Sequence, residues 1–203
     1  MNRKVYVRVA ACSLFLAGCT GGSDAPTKDS VPASYEDLFD ESFALGAEME
    51  ARLLARSNTA FPDMQSNGDA TFEGYALLRM ATAPAQTVLN GKSQVVVNFG
   101  TGDVSGKLYK FVGSDATGTF DAYSGKIKVT GGSIGAIVPN DLSMTYDGTL
   151  NGNGDELKMI GMAEGKFKAS PIRGFIVDDP ARVMSVNGTN VVGSLYVIGE
   201  KER

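Results

Sequence analysis

The sequence predicts an all-β fold of antiparallel strands, and three observations support this fold class. Apolar and polar residues alternate along the stretch 93–130, as they do in strands that are buried on one face. Within it Ile127 and Val129 face one way, while Lys128 faces the other. Short glycine-containing connections, such as 100–102, have the length of hairpin turns. The 203 residues include 25 glycines and no tryptophan, and this length suits one domain with its own core.

The first residues have the features of a bacterial lipoprotein signal. Segment 1–18 combines a basic start with an apolar run that is too short to span a membrane. The sequence Leu-Ala-Gly-Cys at 16–19 resembles a lipobox, in which cleavage leaves Cys19 as an N-terminus lipidated with chains such as palmitate. An ordinary signal peptide or an apolar helix with a chance cysteine are the alternatives. Thr20 stands where an inner-membrane retention signal would carry aspartate, so we expect an outer-membrane lipid anchor.

A tether and a helix follow the signal. Segment 19–33 holds the lipidated cysteine and small, polar, proline-bearing residues typical of a flexible linker. Segment 34–67 is predicted to contain an amphipathic helix, because Ser34 can cap it with Asp37 three residues later. Apolar residues recur roughly at helical spacing: Leu38, Phe39, Phe43, Leu45, Met49, Leu53 and Leu54. The helix is expected to lie on its own domain, with a partner-binding helix as the alternative.

Segment 68–203 is predicted to form a small β-barrel. The predicted strands are 71–79, those of the meander 93–130, 142–150, 157–169, 172–177 and 190–199. They amount to about eight to ten strands of ordinary length. Glycines recur inside these strands, where they mark bulges or sharp bends of the kind a closed barrel needs. Segment 81–92 is predicted to be a loop because it contains Pro84 and Asn90-Gly91.

The order of these features resembles the transferrin-binding protein B-like β-barrel domain. The shared motifs are the stretch Gly68 to Tyr75, Val97-Asn98-Phe99 with Val104-Ser105-Gly106, Gly118-Thr119-Phe120 and the closing Gly199-Glu200-Lys201. The resemblance implies an eight-stranded antiparallel barrel packed against N-terminal structure, on a lipoprotein of the outer membrane. It also implies capture of a protein or solute, since relatives bind host proteins, haem carriers or complement factors. We expect one barrel and no second lobe in this chain.

The chain lacks most of the residues that common catalytic, metal and haem sites need. The chain has no histidine, which excludes a Ser-His-Asp triad, most zinc catalytic sites and haem held by histidine. We therefore predict no enzyme, no cofactor, no metal site and no catalytic residue. Tyrosines and methionines of the predicted strands are expected to pack in the core or wall rather than bind haem: Tyr109, Tyr123, Tyr146, Met144 and Met159.

Two acidic stretches are weak candidates for sites. Residues 151–155, with Asp147 before them, place oxygen ligands at alternate positions, but no glutamate completes a calcium loop, so a hairpin turn is the preferred interpretation. Asp178 and Asp179, followed by proline, are expected to lie in a solvated loop rather than to act as an acid–base pair.

The charge of the chain argues against nucleic acid as a partner. The formal charge is −4. Loss of Arg3, Lys4 and Arg8 with the signal leaves 16 basic and 23 acidic residues, a net charge of −7. We expect an acidic surface without the basic patch that phosphates require.

Two classes of function remain. The first is a lipid-anchored lipoprotein that binds a protein or solute, including an iron or haem carrier, through the loops 81–92, 114–116 and 178–187, since long irregular connections often carry recognition. The second is a lipocalin-like carrier of a small apolar ligand inside the barrel. An enzyme of carboxylates and serines is a remote third. Presentation at the cell surface and on the periplasmic face are both compatible with the sequence.

Overall fold

The computed structural model describes residues 34–135 and 140–202. The helix α1 spans Tyr35–Leu54, and a single 3-10 turn, Phe61–Asp63, follows it. The strands are β1 Asp69–Met80, β2 Thr87–Asn98, β3 Val104–Ser114, β4 Phe120–Ile134, β5 Asp141–Gly152, β6 Asp155–Lys168, β7 Gly174–Val186 and β8 Thr189–Lys201. Each strand pairs antiparallel with the next, and β8 pairs with β1 to close the barrel. The predicted all-β, eight-stranded antiparallel barrel with an N-terminal helix is confirmed.

Large apolar side chains fill the interior of the barrel. The side chains alternate along each strand, so that one set points inward and is buried while the other faces outward. Phe72 lies in an aromatic cluster, with ring centroids 5.5 Å from Phe175 and 6.0 Å from Phe167. Phe111 and Tyr146 are also fully buried. This packing, rather than disulfides, stabilises the domain.

Glycines on the inner face allow neighbouring strands to approach each other closely. A Cβ added at Gly165 would lie 1.9 Å from the carbonyl oxygen of Ile176, and one at Gly106 would lie 2.1 Å from that of Gln94. Neither position has room for a side chain. Gly106 and Gly165, which were predicted to mark bulges or sharp bends, are therefore points of close backbone contact in the barrel wall.

The helix α1 lies on the outer wall of the barrel, in one compact unit with it. Ser34 and Asp37 form the predicted capping box. Leu53 is fully buried near Gly174, and the ring of Phe39 meets that of Phe120 edge-on at 5.5 Å. Five large hydrophobic side chains of α1 remain exposed, namely Tyr35, Leu38, Phe43, Leu45 and Leu54. Within the described residues no helix has both the length and the apolar character to cross a membrane.

Two of the predicted loops are wrong in part. The predicted loop 81–92 extends only to residue 86, because β2 begins at Thr87. Gly91, read as part of a turn, instead faces inward, where an added Cβ would lie 2.7 Å from the Phe111 ring. The predicted loop 178–187 belongs almost wholly to β7. Pro180 is accommodated there because the ladder to β8 is interrupted between Asp179 and Arg182.

Candidate functional site

A buried polar cluster lies where the barrel wall is irregular. Asp179 is only 5% exposed and accepts hydrogen bonds at the same oxygen from the Tyr146 hydroxyl, at 2.8 Å, and from Arg182 Nε, at 2.9 Å. Gly161 leaves space for this cluster, since an added Cβ would lie 2.5 Å from the Tyr146 hydroxyl oxygen. The prediction that Asp179 lies in a solvated loop is wrong, whereas Asp178 is exposed.

The cluster lies at a gap in the hydrogen-bond ladder. Pairing between β6 and β7 stops at Lys158 and resumes at Glu164. Burial raises the pKa of Tyr146, and its hydrogen bond to Asp179 raises that pKa further. The hydrogen bond and charge of Asp179 likewise raise the pKa of Arg182. These groups are therefore held as a neutral phenol and an ion pair, an arrangement that suits structural support of the gap.

Exposed aliphatic side chains cover the outside of the same wall. Ile160 of β6, Val183 of β7 and Val192 of β8 are 65%, 60% and 58% exposed, and we call these three residues the aliphatic face. Val183 pairs directly with Val192. Ile160 and Val183 line one shallow groove of about 300 Å³. Met162, 44% exposed, extends the apolar surface along β6.

Five lysines point outward from the opposite wall, on three adjacent strands. We call them the lysine face: Lys92 on β2, Lys107 and Lys110 on β3, and Lys126 and Lys128 on β4. Lys107 pairs across the strands with Lys128, and Tyr109 lies between Lys92 and Lys126. The expectation of a surface without a basic patch is wrong, because strand pairing gathers charges that are far apart in sequence.

Tyrosine rings lie under the amines of some lysines of this face. Lys92 Nζ lies 4.0 Å from the ring centroid of Tyr75, and Lys107 Nζ lies 4.9 Å from that of Tyr109. Among the described residues, no carboxylate forms a salt bridge with any of the five lysines. The amines of the face therefore make no direct ionic contact within this part of the chain.

A polar network joins two turns at one end of the barrel. Asp115, in the β3–β4 loop, accepts hydrogen bonds from the backbone of Thr117 and Thr119, at 2.7 and 3.0 Å. Burial alone would raise the pKa of Asp115, but the hydrogen bonds from these threonines outweigh it and lower the pKa. The side-chain amide of Asn153, in the β5–β6 turn, also donates to Asp115. The Tyr123 hydroxyl is buried nearby without a hydrogen-bond partner among the described residues.

Residues 151–155, which were weighed above as a calcium-binding loop, contain a tight hairpin turn. Asn153 and Gly154 have φ angles of 53° and 81°, as a two-residue turn between β5 and β6 requires. The turn interpretation is thus confirmed. Within 34–135 and 140–202 there is no group of three or more histidine, cysteine, aspartate or glutamate residues that could hold a metal ion.

The predicted recognition loops are only partly present. The β1–β2 connection, 81–86, and the β3–β4 connection, 115–119, lie at the same end of the barrel because both join an odd strand to the next even one. The third segment, 178–187, lies mainly along the wall. Cys19, the predicted lipidation site, lies outside the described residues.

Sequence alone missed both outer faces, although each leaves a signal in it. The stretch 159–163 of β6 is apolar at consecutive positions, which places apolar side chains outside as well as inside the wall. The lysines alternate with buried residues, so their outward direction follows from the period of two. Which lysines become neighbours depends on the register of β2, β3 and β4, which the sequence does not state.

Comparisons with known proteins find similarity at the level of structure. No protein-family model matches the chain, and a search of curated proteins gives no match either. A crystal structure of a double mutant of Transferrin Binding Protein B from Haemophilus parasuis, described as a vaccine antigen, is similar with a TM-score of 0.49 and 16% identity, covering 72% of this chain and 28% of that one. A single mutant of the same protein has a TM-score of 0.45 and 16% identity, covering 72% and 29%. This chain spans less than a third of either structure.

Proposed function

We propose that this chain is a lipid-anchored binding protein of the outer membrane that captures a protein ligand on the outside of its barrel. The observation that carries this proposal is the aliphatic face. Single exposed aliphatic residues are common on protein surfaces, but a group on adjacent strands is typical of an interaction site. Ile160, Val183 and Val192 form such a group across three strands.

The packed interior favours the outside of the barrel as the binding surface. A lipocalin-like carrier needs an inner cavity for its ligand. Here Phe72, Phe111, Phe167 and Phe175 occupy the inner positions and are at most 1% exposed. The carrier alternative is therefore less well supported than capture on the wall, aided by the loops 81–86 and 115–119 at one end.

The experiment for ligand capture compares two matched variants of the chain from Ser34 onward. One carries Ile160→Thr, Val183→Thr and Val192→Thr, and the other carries the control Val96→Thr on the outer side of β2. All four substitutions retain a β-branched side chain suited to a strand. Each protein is used as bait in extracts of host fluid and culture medium, and bound proteins are identified by mass spectrometry.

We expect one protein to be retained by the wild-type domain and the control, and lost from the aliphatic-face variant. Equal retention by all three baits would overturn the proposed surface. A co-purified small apolar molecule, with no protein ligand, would favour the carrier alternative. Circular dichroism spectra establish that each variant is folded.

The anchor is tested separately from capture. Cells that express the full chain are labelled with a palmitate analogue, and the wild type is compared with Cys19→Ala. We expect the label and the outer-membrane fractionation of the wild type to be lost in the variant. An unlabelled wild-type chain would contradict the anchor while leaving the ligand-capture experiment unaffected.

A further inference from the structure

We propose that the lysine face is a docking surface for an anionic membrane, where it binds the phosphate-bearing headgroups of lipids. The inference extends the proposed function, on which it rests for the location of the domain beside a membrane. Its chemistry rests on the five lysines themselves and can be tested without the anchor.

The lysines form a two-dimensional array rather than a pocket. Adjacent strands are about 5 Å apart, and alternate residues of one strand are about 7 Å apart. Lys107 and Lys128 occupy directly opposite positions, as do Tyr109 and Lys126. The adjoining groove of about 340 Å³ is open and also contains Glu73. A shallow array of like charges suits mobile headgroups, which can arrange themselves around it.

The positive charge of this face contrasts with the acidic character of the chain. With the predicted signal removed, the chain carries a net charge of −7, yet five of its basic residues lie on three neighbouring strands. Carboxylates border the face: Glu73 accepts a hydrogen bond from Gln94 at 3.1 Å, and Asp147 stands opposite Lys128. The helix α1, which packs against β3, carries six more acidic residues. Within the described chain none of these carboxylates forms a salt bridge with a lysine of the face. The lysine amines therefore remain available to an external anion.

The position of α1 favours a membrane as the source of that anion. The helix begins beside β4, where the ring of Phe39 contacts that of Phe120, and β4 carries Lys126 and Lys128. Fourteen residues, 20–33, separate the predicted lipid on Cys19 from Ser34. Even fully extended they span no more than about 50 Å. A tether of this length lets the domain reach the headgroups, and the charges on its surface would then determine which face docks.

Docking in this way would leave the opposite wall free. In a closed ring of eight strands, β3 lies opposite β7. The lysine face is centred on β3 and the aliphatic face on β7. A domain that rests on the membrane with its lysines would therefore present Ile160, Val183 and Val192 away from it, where a protein ligand can reach them.

The test uses the domain from Ser34 onward, which lacks Cys19 and forms one compact unit. It is mixed with vesicles of phosphatidylcholine alone or of equal parts phosphatidylcholine and anionic phosphatidylglycerol, and binding is measured by flotation at low and high salt. The lysine-face variant carries Lys107→Gln, Lys126→Gln and Lys128→Gln. The control carries Lys158→Gln, Lys166→Gln and Lys168→Gln, which remove the same charge from β6.

We expect binding to the anionic vesicles only, weakened by salt because screening acts on exposed charges. The lysine-face variant should partition about a hundredfold less, since each lysine near an anionic leaflet contributes roughly a fivefold effect. The control should stay within a few-fold of the wild type. Binding of all three proteins to a soluble sulfated polysaccharide, heparin, is measured in parallel.

Absence of binding to anionic vesicles would overturn the proposal, as would an equal loss in both variants. Binding to heparin through the same lysines, with no binding to vesicles, would assign the face to a soluble polyanion instead. None of these outcomes bears on the aliphatic-face experiment. An unlipidated Cys19 would remove the proposed anchor while leaving the vesicle result standing. Failure of the anchor and failure of the lysine face to bind membranes are therefore distinguishable.

Discussion

At the scale of single residues, the hydroxyls of Tyr146 and Tyr123 are in opposite situations. Both side chains point into the barrel and are almost completely buried. Tyr146 donates a hydrogen bond to Asp179, whereas Tyr123 has no partner among the described residues. A buried hydroxyl without a partner is destabilising, and one that supports a buried carboxylate is stabilising.

Removal of these hydroxyls should therefore have different effects on stability. We expect Tyr146→Phe to lower the free energy of unfolding by about 1–3 kcal/mol, because Asp179 loses one of its two hydrogen-bond donors while remaining buried. Tyr123→Phe should change it by less than about 0.5 kcal/mol or increase it. Urea unfolding at neutral pH measures both variants. Equal destabilisation would contradict the different roles assigned to the two hydroxyls.

The same tyrosines predict a loss of stability at alkaline pH. Burial raises the pKa of both Tyr123 and Tyr146 above the ordinary value of 10.0. Above that pH the unfolded chain releases the phenolic protons while the folded chain retains them, so the free energy of unfolding falls as pH rises. Each tyrosine contributes a slope of up to about 1.4 kcal/mol per pH unit. Urea unfolding at pH values above 10 should show that the free energy of unfolding falls less steeply with pH for Tyr123→Phe than for the wild type. Identical slopes would argue against a raised pKa of Tyr123.

At the scale of elements, polar contacts join α1 to the barrel as much as apolar ones do. The Tyr196 hydroxyl donates to Glu50 at 2.8 Å, and Arg52 forms two hydrogen bonds with Glu200. Of the apolar residues at helical spacing, only Leu53 is fully buried. The helix therefore lies on the surface of its own domain and contributes little to the core.

Gly46 is a position where α1 can be strengthened. An added Cβ would meet the Tyr75 side chain at 3.5 Å, which is ordinary van der Waals contact. We expect Gly46→Ala to stabilise the domain by about 0.5–1 kcal/mol, because alanine has the higher helix propensity. Gly165→Ala is the comparison, since its Cβ would collide with the backbone of β7, and it should destabilise by about 1–3 kcal/mol or more. Thermal and urea unfolding measure the stability of both variants. A destabilised Gly46→Ala variant would show that α1 needs a residue without a side chain beside Tyr75.

Local features of the elements were predictable from sequence, and the contacts between strands were not. The capping box of Ser34 and Asp37 and the turn at Asn153-Gly154 depend on residues a few positions apart. The interior position of Gly91 depends on Phe111, which belongs to the next strand. Asp179 is buried because Tyr146 and Arg182 meet it there. The candidate faces were missed for the same reason, since register rather than composition brings their residues together.

At the scale of the whole molecule, closure of the barrel separates two kinds of surface. The ring of eight strands has no free edge, so the described chain offers a partner its side chains and connecting loops rather than an unpaired strand. The aliphatic face and the lysine face lie on opposite walls, and the strands that α1 packs against include β3, the centre of the lysine face. Under the two proposals, a ligand and a membrane would contact the domain from opposite sides.

Whether the barrel binds a ligand on its outer surface or inside depends on how its interior is packed. Phe72 is fully buried in contact with Phe167 and Phe175, so Phe72→Ala should lower the free energy of unfolding by about 3–5 kcal/mol. Leu54→Ala, on the exposed side of α1, should change it by less than about 0.5 kcal/mol. Urea unfolding compares the two variants. A barrel with a hollow centre would tolerate Phe72→Ala nearly as well as Leu54→Ala, and a ligand bound inside would stabilise the barrel. A barrel with a packed interior must bind its ligand on the outer surface.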